Sequence, residues 1–273
     1  MAIPASDFEF YKQFLTEETG LSPESEKIYL LESRLSPVYK KMGFEDLGEL
    51  TDLLRAGDAN AKRCVIEAIL DTETCFFRDR KIFDMVINDV LPDIVASKKS
   101  KETINVWTAG CASGQEPYSL AMLIKEQAKM FKKNIVKIFA TDLSESAIKT
   151  AIAGEYTQYD VQRGVPVRML IKYFAQNNTD WMINKNVRSL VKFEVGNILN
   201  SVSVNQKYDL VLCRNVLSEF DESQKRKALE NIHASLARHG RLVIGFHDNI
   251  EGAKDLFVPQ ADKDGLYIPV QPA

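Results

Sequence analysis

A chain of 273 residues is long enough for one large domain or two smaller ones, each with its own core. With 45% hydrophobic residues, 27% charged residues and a net charge of -3, it has the balance of an ordinary globular protein. It advertises neither a general nucleic-acid surface nor a membrane-binding one.

The start MAIPASDFEFYKQFL lacks a basic segment followed by an apolar one. No apolar run approaches the roughly 18 residues of a membrane span, so a cytoplasmic location is expected. Cys64, Cys75, Cys111 and Cys213 show no CxxC spacing, and His233, His239 and His247 have no second ligand nearby in sequence. Neither a disulfide framework nor a metal site is expected.

From residue 6 to about 98 the chain reads as helices throughout, with apolar residues at helical spacing in FEFYKQFL, KIYLLESRL, LGELTDLL and KRCVIEAIL. From TINVWTAG onward, short β-rich apolar runs (NIVKIFATD, LVKFEV, YDLVLC, RLVIGF) alternate with helical patterns. That alternation predicts an α/β fold with a doubly wound parallel sheet. One domain break is expected, between about residues 80 and 100, and is drawn as 1–80 and 81–273. Between AIKTAIAGEY and YDLVLC, the helix VPVRMLIKYF and extended pieces around DWMIN and SLVKFEV form either a small β insertion, at about 155–196, or a decorated loop.

The segment INVWTAGCASGQEPYSLAMLIKEQA carries a strand ending in Gly110, a second glycine at Gly114 and a helix start near Pro117. Glycine turns of this kind at the carboxyl edge of a sheet are where α/β folds bind nucleotides, although tight turns need glycine in any case. Asp142 closes the next strand, where a carboxylate accepts hydrogen bonds from both hydroxyls of a ribose; alternatively it caps the helix SESAIKTAI, a role Ser144 also suits. Glu116 stands where a dinucleotide would place its pyrophosphate, which it would repel. A cofactor bearing an ammonium and a sulfonium would instead be attracted, which turns the reading from NAD toward S-adenosylmethionine. The competing reading is a carboxylate that complements the helix dipole.

Further on, the apolar run Leu210–Cys213 of YDLVLCRNVLSEFD stops abruptly at Arg214 and Asn215, and a carboxylate, Glu219, follows among apolar residues.

These segments occur in an order that resembles the CheR-type methyltransferases, which methylate glutamates on chemoreceptors with S-adenosylmethionine. The matching segments are ESRL in the helical part, DTETCFFRD, AGCASGQEPYSLAM, ATDLSESAIKTAIAGEY, VQRGVPVRMLIKYF, VKFEVGNIL and YDLVLCRNVLSEFD. The resemblance implies a class I, Rossmann-like methyltransferase domain with a helical amino-terminal domain and a small β insertion. It further implies that Thr72, Thr74 and Arg78 face the cofactor and the methyl-transfer site, and that Gly110 lies in the cofactor turn. Glu116 would meet the cofactor's amino group, Asp142 its ribose and Asn197 its adenine side, while Arg214 and Asn215 would close the pocket. Arg78 would orient the acceptor carboxylate; the plain alternative for it is a surface ion pair with Asp79 or another carboxylate. The implied partner is a chemoreceptor cytoplasmic helix or a related signalling protein, met by a monomer.

The chain departs from the family at several positions. Glu219, counted with Arg78 as a candidate catalytic residue, replaces a tyrosine beside the reacting groups. A second charge about 4 Å from the acceptor would cost on the order of 4 kcal/mol at an effective dielectric of about 20, and less if Glu219 were paired or solvated. Thr72 replaces an asparagine, IGFHDN replaces an ending in glycine, histidine or alanine, serine and glutamate, and Pro37 and Val38 interrupt a helix that is more basic in the family. Lys40 and Lys41 keep some positive charge there, or simply complement the helix end. The turn AQNNTD lacks the glycines of relatives that dock a receptor's carboxyl-terminal peptide, which implies untethered recognition. Two functions follow: glutamate methylation, or a weakened relative that binds the cofactor or its demethylated product and acts through protein contacts. A nicotinamide oxidoreductase is disfavoured by the glycine spacing and by Glu116.

Overall fold

A computed structural model describes residues 3–23, 28–200 and 206–271. The chain divides into two compact units, one formed by the residues up to Asp71 with Glu219–Lys225, the other by Thr72–Ser218 with the residues from Arg226 onward.

The first unit contains α1 (Ala5–Thr19), α2 (Ile28–Lys41), α3 (Leu47–Arg55) and α4 (Ala59–Ile69). Apolar residues spaced three or four apart give each helix one buried stripe, and the stripes meet in a core of Phe8, Tyr11, Leu15, Leu31, Leu35, Leu50, Leu54, Val65 and Ile69. Helix starts follow local chemistry: the Asp46 carboxylate accepts from the Gly48 and Glu49 N–H groups, and Asp58 accepts from the Ala61 N–H. Pro37 sits inside α2, and the exposed Lys40 and Lys41 end it.

The expectation of helices throughout 6–98 is corrected between Leu70 and Asp79, which form neither helix nor strand. Leu70 is already extended, the β-branched Thr72 and Thr74 disfavour a helical turn, and Phe77 has a φ of 56°. Helix resumes as α5 (Arg80–Met85) and α6 (Leu91–Ser97), joined by a π-helical turn at Val86–Val90.

The second unit is built on strands β1 (Thr103–Ala109), β2 (Ile135–Asp142), β6 (Val191–Val195), β7 (Tyr208–Cys213), β8 (Leu236–Ile244), β9 (Phe257–Pro259) and β10 (Leu266–Pro269), in the order β6-β2-β1-β7-β8-β10-β9. The first five are parallel, as the alternating pattern predicts, and β10 and β9 run antiparallel at one edge. Helices α7 (Gln115–Glu126), α8 (Glu145–Ala153) and α12 (Glu222–Ser235) link strands of this sheet; α7 begins two residues before Pro117. Every residue of β7 is buried, which is why Leu210–Cys213 is continuously apolar rather than alternating, while the one carboxylate, Asp209, pairs with Lys98 at 2.8 Å.

The small insertion is a three-stranded antiparallel sheet, β3 (Glu155–Tyr156), β4 (Phe174–Asn177) and β5 (Asp180–Ile183), with α9 (Gln158–Gln162) and α10 (Val167–Tyr173) between the first two strands and α11 (Lys185–Arg188) after the last. SLVKFEV does not join it: Val191–Val195 pairs with β2 as the outer strand of the main sheet, and its lack of a buried stripe reflects that edge position. In AQNNTD the left-handed turn position is taken by Asn178, at φ 56°, in place of glycine.

The insertion's α10 is clamped to α7 through Glu126. Its carboxylate accepts from Lys172 Nζ at 2.5 Å, from the Tyr173 hydroxyl at 2.6 Å and from Arg168. The Lys172 bond, then that of Tyr173, pulls the carboxyl down to about 2. A depressed carboxylate contributes stability above its ordinary range, and that contribution fades as pH falls from about 4.5 toward about 2. Glu126→Gln is expected to lower stability at pH 7 by about 1 kcal/mol and to flatten the acid limb of the unfolding curve across that window. Urea midpoints measured at pH 7 and pH 3 check this.

Candidate active site

Ala109, Thr141, Cys213 and Ile244 stand in register across β2, β1, β7 and β8. The parallel sheet therefore delivers Gly110, Asp142, Arg214 and Gly245 side by side at its carboxyl edge. Backbone bonds hold the glycine turn: Gly110 and Cys111 donate to the Thr141 carbonyl at 2.8 and 3.0 Å, and Gly114 donates to that of Cys111 at 3.0 Å. Gly110 has φ 75°, and a Cβ there would lie 2.3 Å from Val216 Cγ2. At Gly114, φ is 93° and a Cβ would lie 2.8 Å from Ala151 Cβ. Both glycines are thus required by backbone conformation and packing, whatever the turn binds.

Asp142 is tied to the turn. Its Oδ2 accepts from the Ala112 N–H at 2.7 Å and its Oδ1 from the Ser144 N–H at 2.9 Å. The cap of α8 is Ser144, whose hydroxyl accepts from the Ala147 N–H at 3.0 Å. The helix therefore has its own cap in Ser144, and the Asp142 carboxylate stands at the carboxyl end of β2 beside the glycine turn.

Glu116 is buried in the first turn of α7, and its Oε2 accepts from Arg214 Nη1 at 2.8 Å. The same guanidinium donates through Nη2 to Asp79 Oδ2 at 2.9 Å and through Nη1 to the Arg78 carbonyl, and it lies 5.7 Å from the centroid of the Phe83 ring. Its Nε is buried without a hydrogen-bond partner among the described residues. Burial pushes the Glu116 carboxyl above its ordinary value, and the Arg214 charge opposes that rise. Two carboxylates share one guanidinium here, so with both ionised the cluster carries one net negative charge and favours a cationic ligand.

The ion pair considered for Arg78 does not form: Asp79 is taken by Arg214, and the exposed Arg78 side chain has no salt bridge among the described residues. Thr72 and Thr74 are half-buried in the same junction. Asn197, two residues beyond β6, is half-buried, and its Oδ1 accepts from the Leu199 N–H at 2.9 Å. Asn215 has φ 58°, and its N–H donates to Asp248 Oδ2 at 2.6 Å. Glu219 ends the 3-10 turn Leu217–Glu219, is exposed, and groups with the helical unit.

Sequence reasoning assigned no role to Asp248, Tyr156 or Gly164. The Tyr156 hydroxyl donates to the Ser113 carbonyl at 2.7 Å, and its ring meets Phe76 edge-on at 4.9 Å, which joins the small sheet to the glycine turn and the junction. A Cβ on Gly164 would lie 1.9 Å from the Phe76 carbonyl oxygen, so the glycine of VQRGVP is where the insertion passes against the junction backbone. Asp248 stands four residues past β8 within IGFHDN, a stretch that the sequence marked only as a departure from the family's ending.

Comparison with known proteins agrees with this construction. A model described as "CheR methyltransferase, all-alpha domain" matches residues 6–70, and one described as "CheR methyltransferase, SAM binding domain" matches residues 72–263. The chain is 35% identical over 259 residues to chemotaxis protein methyltransferase 1 of Pseudomonas aeruginosa, covering 93% of this chain and 94% of that protein. It is 34% identical to chemotaxis protein methyltransferase Cher2 of Pseudomonas putida, covering 91% and 92%, and 35% identical to the chemotaxis protein methyltransferase of Vibrio parahaemolyticus, covering 94% of each. With an all-α domain ahead of a Rossmann-like cofactor-binding domain, the chain belongs to the CheR family of S-adenosylmethionine-dependent methyltransferases.

Proposed function

We propose that the protein methylates glutamate side chains on the cytoplasmic helix of a chemoreceptor or a related signalling protein, acting in the cytoplasm as a monomer. Among the described residues no helix is long and apolar enough to cross a membrane. In this reading residues 1–80 form the helical domain and the junction, whose Thr72, Thr74 and Arg78 face the cofactor, and residues 81–273 form the methyltransferase domain.

The residues suit S-adenosylmethionine. The net negative Glu116–Arg214–Asp79 cluster suits its cationic groups, the Asp142 carboxylate at the end of β2 suits the hydroxyls of a ribose, and Asn197, just beyond β6, suits the adenine side. Gly110, Thr72, Thr74, Arg78, Arg214 and Asn215 complete the proposed contacts. When bound, this cofactor supplies an electrophilic methyl group on a sulfonium. The acceptor glutamate is already ionised near neutrality, so no side chain has to remove a proton. What remains for the protein is alignment, and Arg78 is the residue assigned to it.

The observation that carries this reading is the state of Arg78. Its backbone carbonyl is held by Arg214 while its guanidinium is exposed and free of any salt bridge among the described residues, so a cation is available at the site for an incoming carboxylate. Incubating the protein with radiolabelled S-adenosylmethionine and receptor fragments, then releasing base-labile methanol, tests the assignment. Label in the receptor that resists base would show a different acceptor chemistry and end it.

Glu219 counts less against activity than its sequence position suggests, because an exposed carboxylate is screened by water and salt. Glu219→Tyr is expected to raise kcat/KM by less than about fivefold, with the gain shrinking as ionic strength increases. A gain of about a hundredfold from a nearly inactive parent would instead identify the native chain as a binding relative.

A further inference from the structure

We infer that Asp248 is a positioning residue of the methyl-transfer site, acting through Asn215: its buried carboxylate gathers the loops after β7 and β8 and fixes the orientation of the Asn215 carboxamide. The inference rests on the reading of Asn215 as a cofactor contact.

Asp248 is 8% exposed, and a carboxylate at that depth is costly unless donors satisfy it. Three backbone donors do. Oδ2 accepts from the Asn215 N–H at 2.6 Å and from the Gly245 N–H at 2.9 Å, and Oδ1 accepts from the Ser218 N–H at 2.9 Å. Two of these donors lie on the segment that follows β7 and one on the segment that follows β8, so a single side chain ties two loops at the carboxyl edge of the sheet. Bonds from N–H groups to an ionised oxygen are stronger than those between neutral partners, and they are directional.

Asn215 adopts φ 58°, a left-handed conformation that asparagine tolerates better than most residues. The charge-assisted bond from its N–H holds it there. Beneath it lies Gly245, where a Cβ would fall 2.8 Å from Asp248 Oδ2, 3.0 Å from the Asn215 nitrogen and 3.3 Å from Asn215 Cγ. The Asn215 side chain therefore rests on the Gly245 α-carbon, and any larger residue at 245 would push against both the carboxylate and the carboxamide. Asp248 anchors the backbone of Asn215, and Gly245 is the floor for its side chain. All three of these donors to Asp248 are backbone N–H groups, which makes its contribution indirect.

The test is a double-mutant cycle in the full chain, read as the Kd for S-adenosylhomocysteine by calorimetry. Asp248→Asn is isosteric but turns one oxygen into a donor that faces another donor. Asn215→Gly removes the carboxamide and keeps the backbone free to adopt positive φ. Each single change is expected to raise Kd about tenfold. The double variant should bind within about twofold of Asn215→Gly, because Asp248 has nothing left to orient. A purely structural carboxylate predicts additive losses of about a hundredfold, and that result overturns the inference, as does an Asp248→Asn variant within about twofold of wild type.

Gly245→Ala supplies a second route that leaves the carboxylate intact and decides the matter if Asp248→Asn does not fold. It should raise Kd about tenfold, again without further loss on Asn215→Gly; an unchanged Kd overturns the inference. Failure of the wild type to bind S-adenosylhomocysteine overturns this inference together with the function proposed above. Binding with an additive cycle overturns this inference alone, and binding without ester formation removes only the proposed acceptor.

Discussion

Arg214→Met is expected to destabilise the cofactor-binding unit by about 3 to 5 kcal/mol and to abolish S-adenosylhomocysteine binding. The size of the effect comes from what is left behind. The Glu116 side chain is 11% exposed and that of Arg214 3%, so methionine would strand a buried carboxylate whose salt bridge to Arg214 is gone. The Asp79 side chain, 53% exposed, can turn to water and contributes little to the cost. The pair is not a net source of stability merely because breaking it is harmful: a second change, Glu116→Gln, should restore a large part of the loss by removing the stranded charge. It should not restore cofactor binding, because the carboxylate proposed to meet the cofactor's amino group and the guanidinium that positions it would both be gone. Both tryptophans, Trp107 and Trp181, lie in the cofactor-binding unit, so fluorescence-detected urea unfolding follows that unit selectively. If Arg214→Met unfolded within about 1 kcal/mol of wild type, the buried network would not be the structural centre described above.

Arg78→Ala is expected to lower kcat/KM for receptor methylation by about a hundredfold while changing the Kd for S-adenosylhomocysteine by less than about tenfold. An exposed guanidinium with no salt bridge among the described residues has little structural work to lose, so the thermal midpoint should stay within a degree or two of wild type. Arg78→Lys should recover only part of the activity, because an ammonium keeps the charge without the planar fork that grips both oxygens of a carboxylate. Steady-state kinetics with a fixed receptor fragment separate the cases. A loss confined to KM for the cofactor would assign Arg78 to cofactor binding alone, and an unaffected rate would remove it from the acceptor site.

The two effects differ in kind. Arg214 acts through burial, where a missing partner costs several kcal/mol, and Arg78 through alignment at the surface, where the cost shows up in rate rather than in stability.

Much of this was legible along the chain. Helical spacing in the first unit, the alternation of apolar runs and helices in the second, and the glycine turn followed by Glu116 and Asp142 all express preferences that act over a few residues. Asn215 was legible as a polar stop to a buried strand, and its left-handed conformation came only with the structure. The ordered motifs added the family and its cofactor.

What the chain could not show was partnership. Arg214 reaches Glu116 across 98 residues and Asp79 across 135, and Asp248 reaches back 33 residues to Asn215. From sequence, Asp79 was the natural partner of the neighbouring Arg78; in the fold it belongs to Arg214, which leaves Arg78 exposed. LVKFEV read both as one of the alternating runs and, as SLVKFEV, as part of the insertion, and pairing with β2 identifies Val191–Val195 as the edge of the main sheet. Local propensity determined which elements form. The parallel register, which sets the ends of β1, β2, β7 and β8 side by side, decided which charges meet, because Coulombic and hydrogen-bonding partners are chosen by distance in space rather than along the chain.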